Sequence, residues 1–374
     1  VAEVRHFLET EGGINQISVE RAVAELRAGR AVVVKAGRSN ILVIGIEALD
    51  ERIRPTLEAV AKRRARLVLP APRLRRLGLD RTKPGAIALP LIDLARISTL
   101  SFEVGARIDA PVAALGKLDH AALELARIAL ILPAVLVTPV SARDIEGEGL
   151  LRVDAAAIEV YRAAKIRELR IVGRAPVPLE GAPDTEFVIF RGGEGLRDQV
   201  AILIGRPDLA QTVTVRLHSA CLTGDLFGSL KCDCGDQLRD TARYMAENGG
   251  GILLYLDQEG RGNGLSNKMR AYKLQAQGFD TYDADEVLGF DHDQRGFDFA
   301  ARMLQQLGVS RVQVLTNNPV KIAALEQAGL EVVSDRRIEG RKNDHNIRYL
   351  ASKRDRAGHF IDVDDASAQG VLKE

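Results

Sequence analysis

The chain of 374 residues is long enough for two domains, each able to bury a core of its own. A formal net charge of +1 gives no bulk attraction to polyanions, and 4% aromatic residues without Trp leave little material for stacking on single-stranded nucleic acid. Nucleic-acid and membrane partners would therefore have to come from a local patch, and neither is expected.

Residues 1–30 alternate charge with short apolar groups, which is not the pattern of a secretory signal. Within them Ser18 reads as an N-cap, with Val19, Ala22, Val23 and Leu26 at helical spacing and Gly29 closing the helix. A strand, 31-AVVVK-35, follows. Residues 51–83 then carry eleven Lys or Arg against three acids, among them Arg63, Arg64, Arg66, Arg73, Arg75 and Arg76. With no interleaved aromatic this reads as a solvated basic face rather than a nucleic-acid interface. The most apolar run, Ala121 to Val140, is broken by Glu124, Arg127 and Pro133, so it reads as a buried helix and strand and not as a membrane span. A further helix running into a strand occupies 154–172, and 173-GRAPVPLEGAP-183 reads as a linker. The fold class expected is α/β (α+β), with two domains at 1–172 and 173–374, each a mixed sheet flanked by helices.

Past the linker, strands are expected at 186–191, 200–205 and 213–219, then a helix at 237–248 ended by Gly249, and a strand at 252–257. Between them stand all three cysteines, Cys221, Cys232 and Cys234, at C-x10-C-x-C spacing. Isolated cysteines are usually buried and inert. These lie among Thr223, Gly224, Asp225, Asp233 and Asp236, residues of turns, and thiolates so grouped read as a zinc site. Three protein ligands leave a position for water, as catalytic zinc requires; His218 is the alternative fourth ligand that would close the site into a structural one. An odd, clustered cysteine set also fits a reducing, cytoplasmic setting.

Two strand-to-helix junctions follow. In 258-QEGRGNGLSNK-268 the glycines at 260, 262 and 264 could leave backbone N–H groups for an anion, with Arg261 and Lys268 supplying charge. The spacing fits no dinucleotide or P-loop pattern, so the turn could equally be a connection. In 312–333 a strand, a polar turn, Pro319 at the helix start and Gly329 at its end set Thr316, Asn317 and Lys321 at the C-terminal end of a strand, where open α/β sheets bind ligands. Asp291, Asp293 and Arg295 between these junctions are either a solvated turn or an acid–base pair beside a cation.

The strings RLHSACLTGDLFGSLKCDCGDQL, LDQEGRGNGLSNKMRAYKLQAQGFDT and VLTNNPVKIAALEQAGLEVV closely resemble GTP cyclohydrolase II, over nearly the whole second half and in order. The resemblance implies one Zn2+ per subunit on Cys221, Cys232 and Cys234, a water activated there for attack at C8 of guanine, and release of formate and pyrophosphate from GTP. Asp293 matches the proton acceptor, Arg295 a residue proposed as nucleophile toward the α-phosphorus, and Tyr272 a tyrosine of the ring-opening step. A guanidinium is a better phosphate clamp than nucleophile. Arg216, Leu217, His218, Ser219, Ala220, Gln237, Glu259, Gly260, Arg261, Thr281, Thr316 and Lys321 match nucleotide-contacting positions, with Mg2+ on the triphosphate. A cytoplasmic homodimer is expected. One departure stands out, Ala220 in place of the glutamate the family usually carries before the first cysteine. A catalytically silent zinc- and nucleotide-binding regulator is the alternative.

The first half bears a fainter resemblance to 3,4-dihydroxy-2-butanone 4-phosphate synthase. Its magnesium-binding acids are missing from 35-KAGRSNILVIG-45, and Leu118, Asp119 and His120 stand where a His-Thr-Glu triplet is expected. A scaffold or dimerisation role without synthase activity is therefore expected there.

Overall fold

The computed structural model describes residues 11–145, 147, 149–193, 197–291 and 295–361. The described residues form two compact units, one drawn from within 1–164, 266–279 and 283–293, the other from within 165–265, 280–282 and 294–374. Each is built on a mixed seven-stranded sheet flanked by helices.

In the first unit the strands are β1 (Val32–Ala36), β2 (Ser39–Gly45), β3 (Ala65–Leu69), β4 (Gly85–Leu89), β5 (Val112–Ala114), β6 (Val135–Val140) and β7 (Arg152–Asp154), in the order β5-β4-β3-β6-β2-β1-β7. All pair antiparallel except β1 with β7. Successive residues of each strand enter opposite cores. Val33, Leu42, Ile44, Leu67 and Leu136 face one way, toward Leu74, Leu100, Leu274 and Val287. Val32, Val34, Ile41, Val43 and Val137 face Val23, Leu125 and Ile158. Helices on both faces explain why β1 reads as an unbroken apolar run, although sheets of mostly antiparallel pairs commonly leave one face to water. The first helix, Glu11–Arg27, starts well before Ser18; that side chain is no cap, and its hydroxyl donates to Asn15 O at 2.7 Å inside the helix. Its C-terminal limit, with Gly29 at φ 76°, is as expected.

The arginine-rich stretch departs from a solvated face. Arg73 is 2% exposed and donates to the carbonyls of Leu100, Val287, Thr99 and Glu103 at 2.8–3.1 Å. Burial brings its pKa down to about 10, still a cation at neutral pH. Arg75 pairs with Glu286, Arg76 with Asp283 and Glu286, and Arg66 with Asp119. Asp119 also accepts from Gly116 N at 3.2 Å, so its carboxylate holds a helix start and a sheet arginine.

The second unit carries β8 (Arg170–Pro176), β9 (Thr185–Arg191), β10 (Gln199–Ile204), β11 (Thr212–Ser219), β12 (Gly251–Leu256), β13 (Arg311–Leu315) and β14 (Glu331–Arg336). Their order is β14-β13-β11-β12-β10-β9-β8, with β14, β13, β11 and β12 mutually parallel and the other three antiparallel. The expected linker begins inside β8, an edge strand on which Pro176 costs no ladder bond because no strand lies outside it. Helix Cys234–Glu247 adds Met245 and Leu238 to the core on one face, and helices Asp298–Gln306 and Pro319–Gln327 contribute Phe299, Leu304 and Leu325 to the core on the other. The connection after β11 leads to β12 on one side, and that after β13 to β14 on the other. The crevice at the carboxyl ends of β11 and β13 is therefore the topological switch point of the sheet.

A candidate metal centre at the sheet switch point

The cysteines converge where β11 ends. The three Sγ atoms lie within 4.8 Å of one another, with Cys221 and Cys232 at 3.6 Å. Two helices bring them there: the single turn of Leu222–Asp225 follows Cys221, and Cys234 opens helix Cys234–Glu247, three residues earlier than the sequence suggests. Gly224 lies at the centre. A Cβ on it would stand 2.7 Å from Cys232 Sγ and 3.1 Å from Cys221 Sγ, so the cradle is shaped for sulfur and nothing larger. The hydrogen bond with Cys221, with burial, pushes the Cys232 thiol up to about 11. Cys221 and Cys232, then burial, raise Cys234 well above the ordinary thiol range, with Lys353 pulling the other way. Three sulfurs this close become thiolates together only around a cation, and the set is consistent with zinc.

His218 does not join them. Among the described residues the metal-capable group is the three cysteines alone, and His218 Nε2 stands 3.1 Å from Asp225 Oδ1. Burial lowers the pKa of this imidazole, and since a carboxylate only accepts, the neutral ring carries its proton on Nε2. Asp225 is the organiser that sequence reasoning missed. It also accepts from Cys221 N at 2.9 Å and from Tyr255 OH at 3.0 Å, and Tyr255 stacks on His218 with 5.6 Å between centroids. Burial and then Asp225 raise the Tyr255 pKa, which keeps the phenol protonated as the donor. The local signal was an acid four residues after Cys221, one turn along; the long-range partners had none.

The crevice walls cross-link β11 and β13. Arg216 Nη1 donates to Leu315 O at 3.1 Å and its other arm to Gln237 Oε1, while Lys321 Nζ donates to Leu217 O at 2.6 Å. Thr316 Oγ1 accepts from Asn318 N at 3.0 Å, and Asn318 caps the helix that Pro319 starts. Arg295 Nη1 donates to Ser219 Oγ at 3.2 Å, and that hydroxyl donates to Gln258 at 3.1 Å. Ala220 keeps its backbone place through a 2.8 Å bond to Leu256 O.

After β12, Gly260, Arg261, Gly262 and Gly264 all have φ between 61° and 87°. Within the turn the N–H groups of Gly262, Asn263 and Gly264 donate to carbonyls of Gln258, Glu259 and Gly260, so these three are already engaged. It presents side chains instead. Glu259 Oε2 accepts from Leu222 N at 2.6 Å, tying this turn to the cysteine loop, and the Arg261 guanidinium lies 4.0 Å over the Tyr282 ring beside Thr281. Arg261 is a non-glycine residue in the left-handed region, a strained choice that recurs at functional sites. Arg216, Leu217, His218, Ser219, Ala220, Gln237, Glu259, Gly260, Arg261, Thr281, Arg295, Thr316 and Lys321 thus all lie in the second unit with the cysteines. Tyr272 belongs to the first, on helix Leu265–Gln275 with Lys268 Nζ 5.5 Å over its ring. Asp293 lies outside the described residues.

A three-sulfur centre beside cationic turns, at the switch point of an α/β sheet, is consistent with the site of a metal-dependent enzyme. The sequence profile of "GTP cyclohydrolase II" matches residues 170–337. "GTP cyclohydrolase-2" of Xylella fastidiosa is 42% identical over 360 residues, covering 94% of this chain and 89% of that one. The protein of that name from Azospirillum brasilense is 40% identical over 368 residues, covering 92% and 94%. "Riboflavin biosynthesis protein RibBA" of Cytophaga hutchinsonii is 38% identical over 253 residues, covering 65% and 62%. Among solved structures, RibBX, a two-domain 3,4-dihydroxy-2-butanone 4-phosphate synthase from A. baumannii, is 18% identical with a TM-score of 0.34, covering 86% of this chain and 99% of that one. The chain belongs to the GTP cyclohydrolase II family and is an enzyme of that family. No helix among the described residues is long and apolar enough to cross a membrane.

Proposed function

We propose that this enzyme hydrolyses GTP, opening the imidazole ring of guanine with loss of formate and pyrophosphate to leave a diaminopyrimidinone ribosyl phosphate. The observation that carries the reading is the cysteine triad at the carboxyl edge of β11, next to the β11–β13 crevice. Cys221, Cys232 and Cys234 hold one Zn2+ per subunit, which supplies Lewis acidity for the hydrolysis. Arg261 and Arg295 grip the triphosphate with Mg2+, Arg295 acting as a clamp on the departing pyrophosphate. Lys321 and Arg216, already bonded to carbonyls across the crevice, fix its walls and add positive potential beneath the phosphates. Asp293 takes the proton during ring opening, and Tyr272 orients the opened ring. His218, Ser219, Ala220, Gln237, Glu259, Gly260, Thr281 and Thr316 line the nucleotide.

Residues 173–374 form the cyclohydrolase domain on this reading, and 1–172 a synthase-like scaffold that has lost its magnesium-binding acids and mediates a homodimer. The protein works in the cytoplasm. Incubating zinc-loaded protein with GTP and Mg2+ and measuring formate and pyrophosphate is the test. Stoichiometric release supports the reading, and Cys232→Ser is expected to abolish it. GTP left intact by the loaded wild type overturns it.

A further inference from the structure

We infer that the C-terminal segment Arg337–Ile361 completes the site, and that Lys353 is a positioning residue for the cysteine loop, acting through Asp233. The inference rests on the three cysteines as the zinc ligands. The family profile ends at residue 337, and every site residue expected from the sequence lies at or before Lys321.

The path of this segment is pinned at both ends to one turn. Arg337 Nη1 donates to Thr316 O at 3.1 Å and Ile338 N to Asn317 Oδ1 at 3.0 Å. The chain then crosses to the cysteine loop. Gly340 sits so tightly on Asp233 that a Cβ would meet Asp233 Cβ at 2.6 Å, and Arg341 donates to the Asp236 carboxylate at 3.0 and 3.2 Å. Helix Ile347–Ala357 brings Lys353 Nζ to 3.6 Å from Asp233 Oδ1, the side chains being 15% and 4% exposed. Gly358, at φ 62°, reverses the chain, Phe360 N returns to Asn317 O at 3.0 Å, and Arg337 stacks over the Phe360 ring at 3.7 Å. The loop so closed spans from the carboxyl end of β13 to the metal ligands and back. It also carries His359, on which Lys353, Arg295, Lys321 and Arg261 all act electrostatically, so the closing turn shares a neighbourhood with the cations assigned to the triphosphate.

Asp233 is the residue between Cys232 and Cys234, and its Oδ1 is buried with no hydrogen-bond donor. The other oxygen, Oδ2, accepts from Gln237 Nε2, whereas Oδ1 has the Lys353 ammonium as its nearby counter-charge, and that charge offsets the repulsion of the flanking thiolates. Without it the loop relieves the repulsion by turning Asp233 outward, and both flanking sulfurs move with it.

The test uses zinc-loaded full-length protein, with Lys353→Met, which keeps the stem, and Lys353→Arg, which keeps the charge. Zinc release to a chromogenic chelator is followed without GTP. Lys353→Met is expected to release zinc about tenfold faster than wild type, with kcat lowered more than KM, and Lys353→Arg to restore most of both. Release from Lys353→Met at the wild-type rate overturns the inference, as does equal loss in the two variants or a change confined to KM. Because release needs no substrate, the inference and the proposed reaction fail separately. A loaded wild type that leaves GTP intact sinks only the reaction, and a Lys353→Met that keeps its zinc where Cys232→Ser loses it sinks only the role of Lys353.

Discussion

Gly224→Ala is the sharpest probe of the metal centre, because two opposed effects can be sized beforehand. Gly224 lies in the short helix Leu222–Asp225 and does not have a positive φ, so alanine fits the backbone and gains about 1 kcal/mol of helix propensity at most. Against this, the new methyl would sit 2.7 Å from Cys232 Sγ, roughly 0.7 Å inside ordinary contact, and 3.1 Å from both Cys221 Sγ and Cys234 Cβ. Relief cannot come from a flexible side-chain end, since all three neighbours belong to the ligand set itself. Overpacking of this kind costs about 1–3 kcal/mol, and zinc tolerates errors of only about 0.2 Å in its ligand distances. The expected variant therefore folds, with stability within about 2 kcal/mol of wild type without metal, but binds zinc at least about tenfold more weakly. Metal content after gel filtration and competition against a chelator of known affinity measure this. Full zinc occupancy at wild-type affinity would refute the placement of the three sulfurs around Gly224.

Three further outcomes are expected. Asp225→Ala leaves Cys221 N, Tyr255 OH and His218 Nε2 without their acceptor and should lower unfolding stability by about 3 kcal/mol in urea titrations; a loss under about 1 kcal/mol would mean that these donors find other partners. Arg73→Met removes donors from four carbonyls, two of them at the end of helix Leu94–Phe102, and should destabilise the protein by about 3–5 kcal/mol; near-neutrality by the same titration would contradict the buried network. Burial, then Lys353, Arg295, Lys321 and Arg261, holds the pKa of His359 down at about 3, so below about pH 6.5 the unfolded chain takes up a proton that the folded chain refuses. Stability is then lost as pH falls from about 6.5 toward 5, by up to about 1.4 kcal/mol per unit, and His359→Gln should flatten that slope; an unchanged slope in urea midpoints would argue against it.

What the sequence made legible was set by local chemistry. The strands at 186–191, 200–205, 213–219 and 252–257 were visible because their apolar runs end at turn residues. The cysteine cluster was visible because a metal demands a particular set of atoms, and its spacing survives whatever fold carries it. Ser18 misled because a hydroxyl near a helix start fits a cap or an early turn equally well, and only the backbone of residues 11–17 decides. Strand β2 was obscured because its short apolar run, residues 41–44, directly follows the turn residues 37–40, and Gly37 at φ 57° turns the chain back to pair β1 with β2. Arg73 could not be read at all. Its partners are main-chain carbonyls up to 214 residues away, which carry no residue type to recognise.

The same distinction separates the parts of the site. Most residues proposed to touch a nucleotide fall in short motifs, several of them where a strand of the second sheet ends, as Ser219 and Thr316 do. Residues that hold those motifs in place are under no such constraint: Asp225 works through one histidine, one tyrosine and one amide, and Lys353 reaches Asp233 from a helix beyond the last motif. Both act on the loop that presents the cysteines, from opposite ends, Asp225 on Cys221 and Lys353 beside Cys232 and Cys234. A loop with acids next to three thiolates is electrostatically unfavourable as it stands. Neutral donors alone satisfy the acid at one end, where only one thiolate is adjacent; at the other, between two thiolates, Gln237 Nε2 takes one carboxylate oxygen and the Lys353 ammonium stands by the second. That asymmetry is why the supporting residue near Cys221 is an acceptor of hydrogen bonds and the one near Cys234 brings a cation.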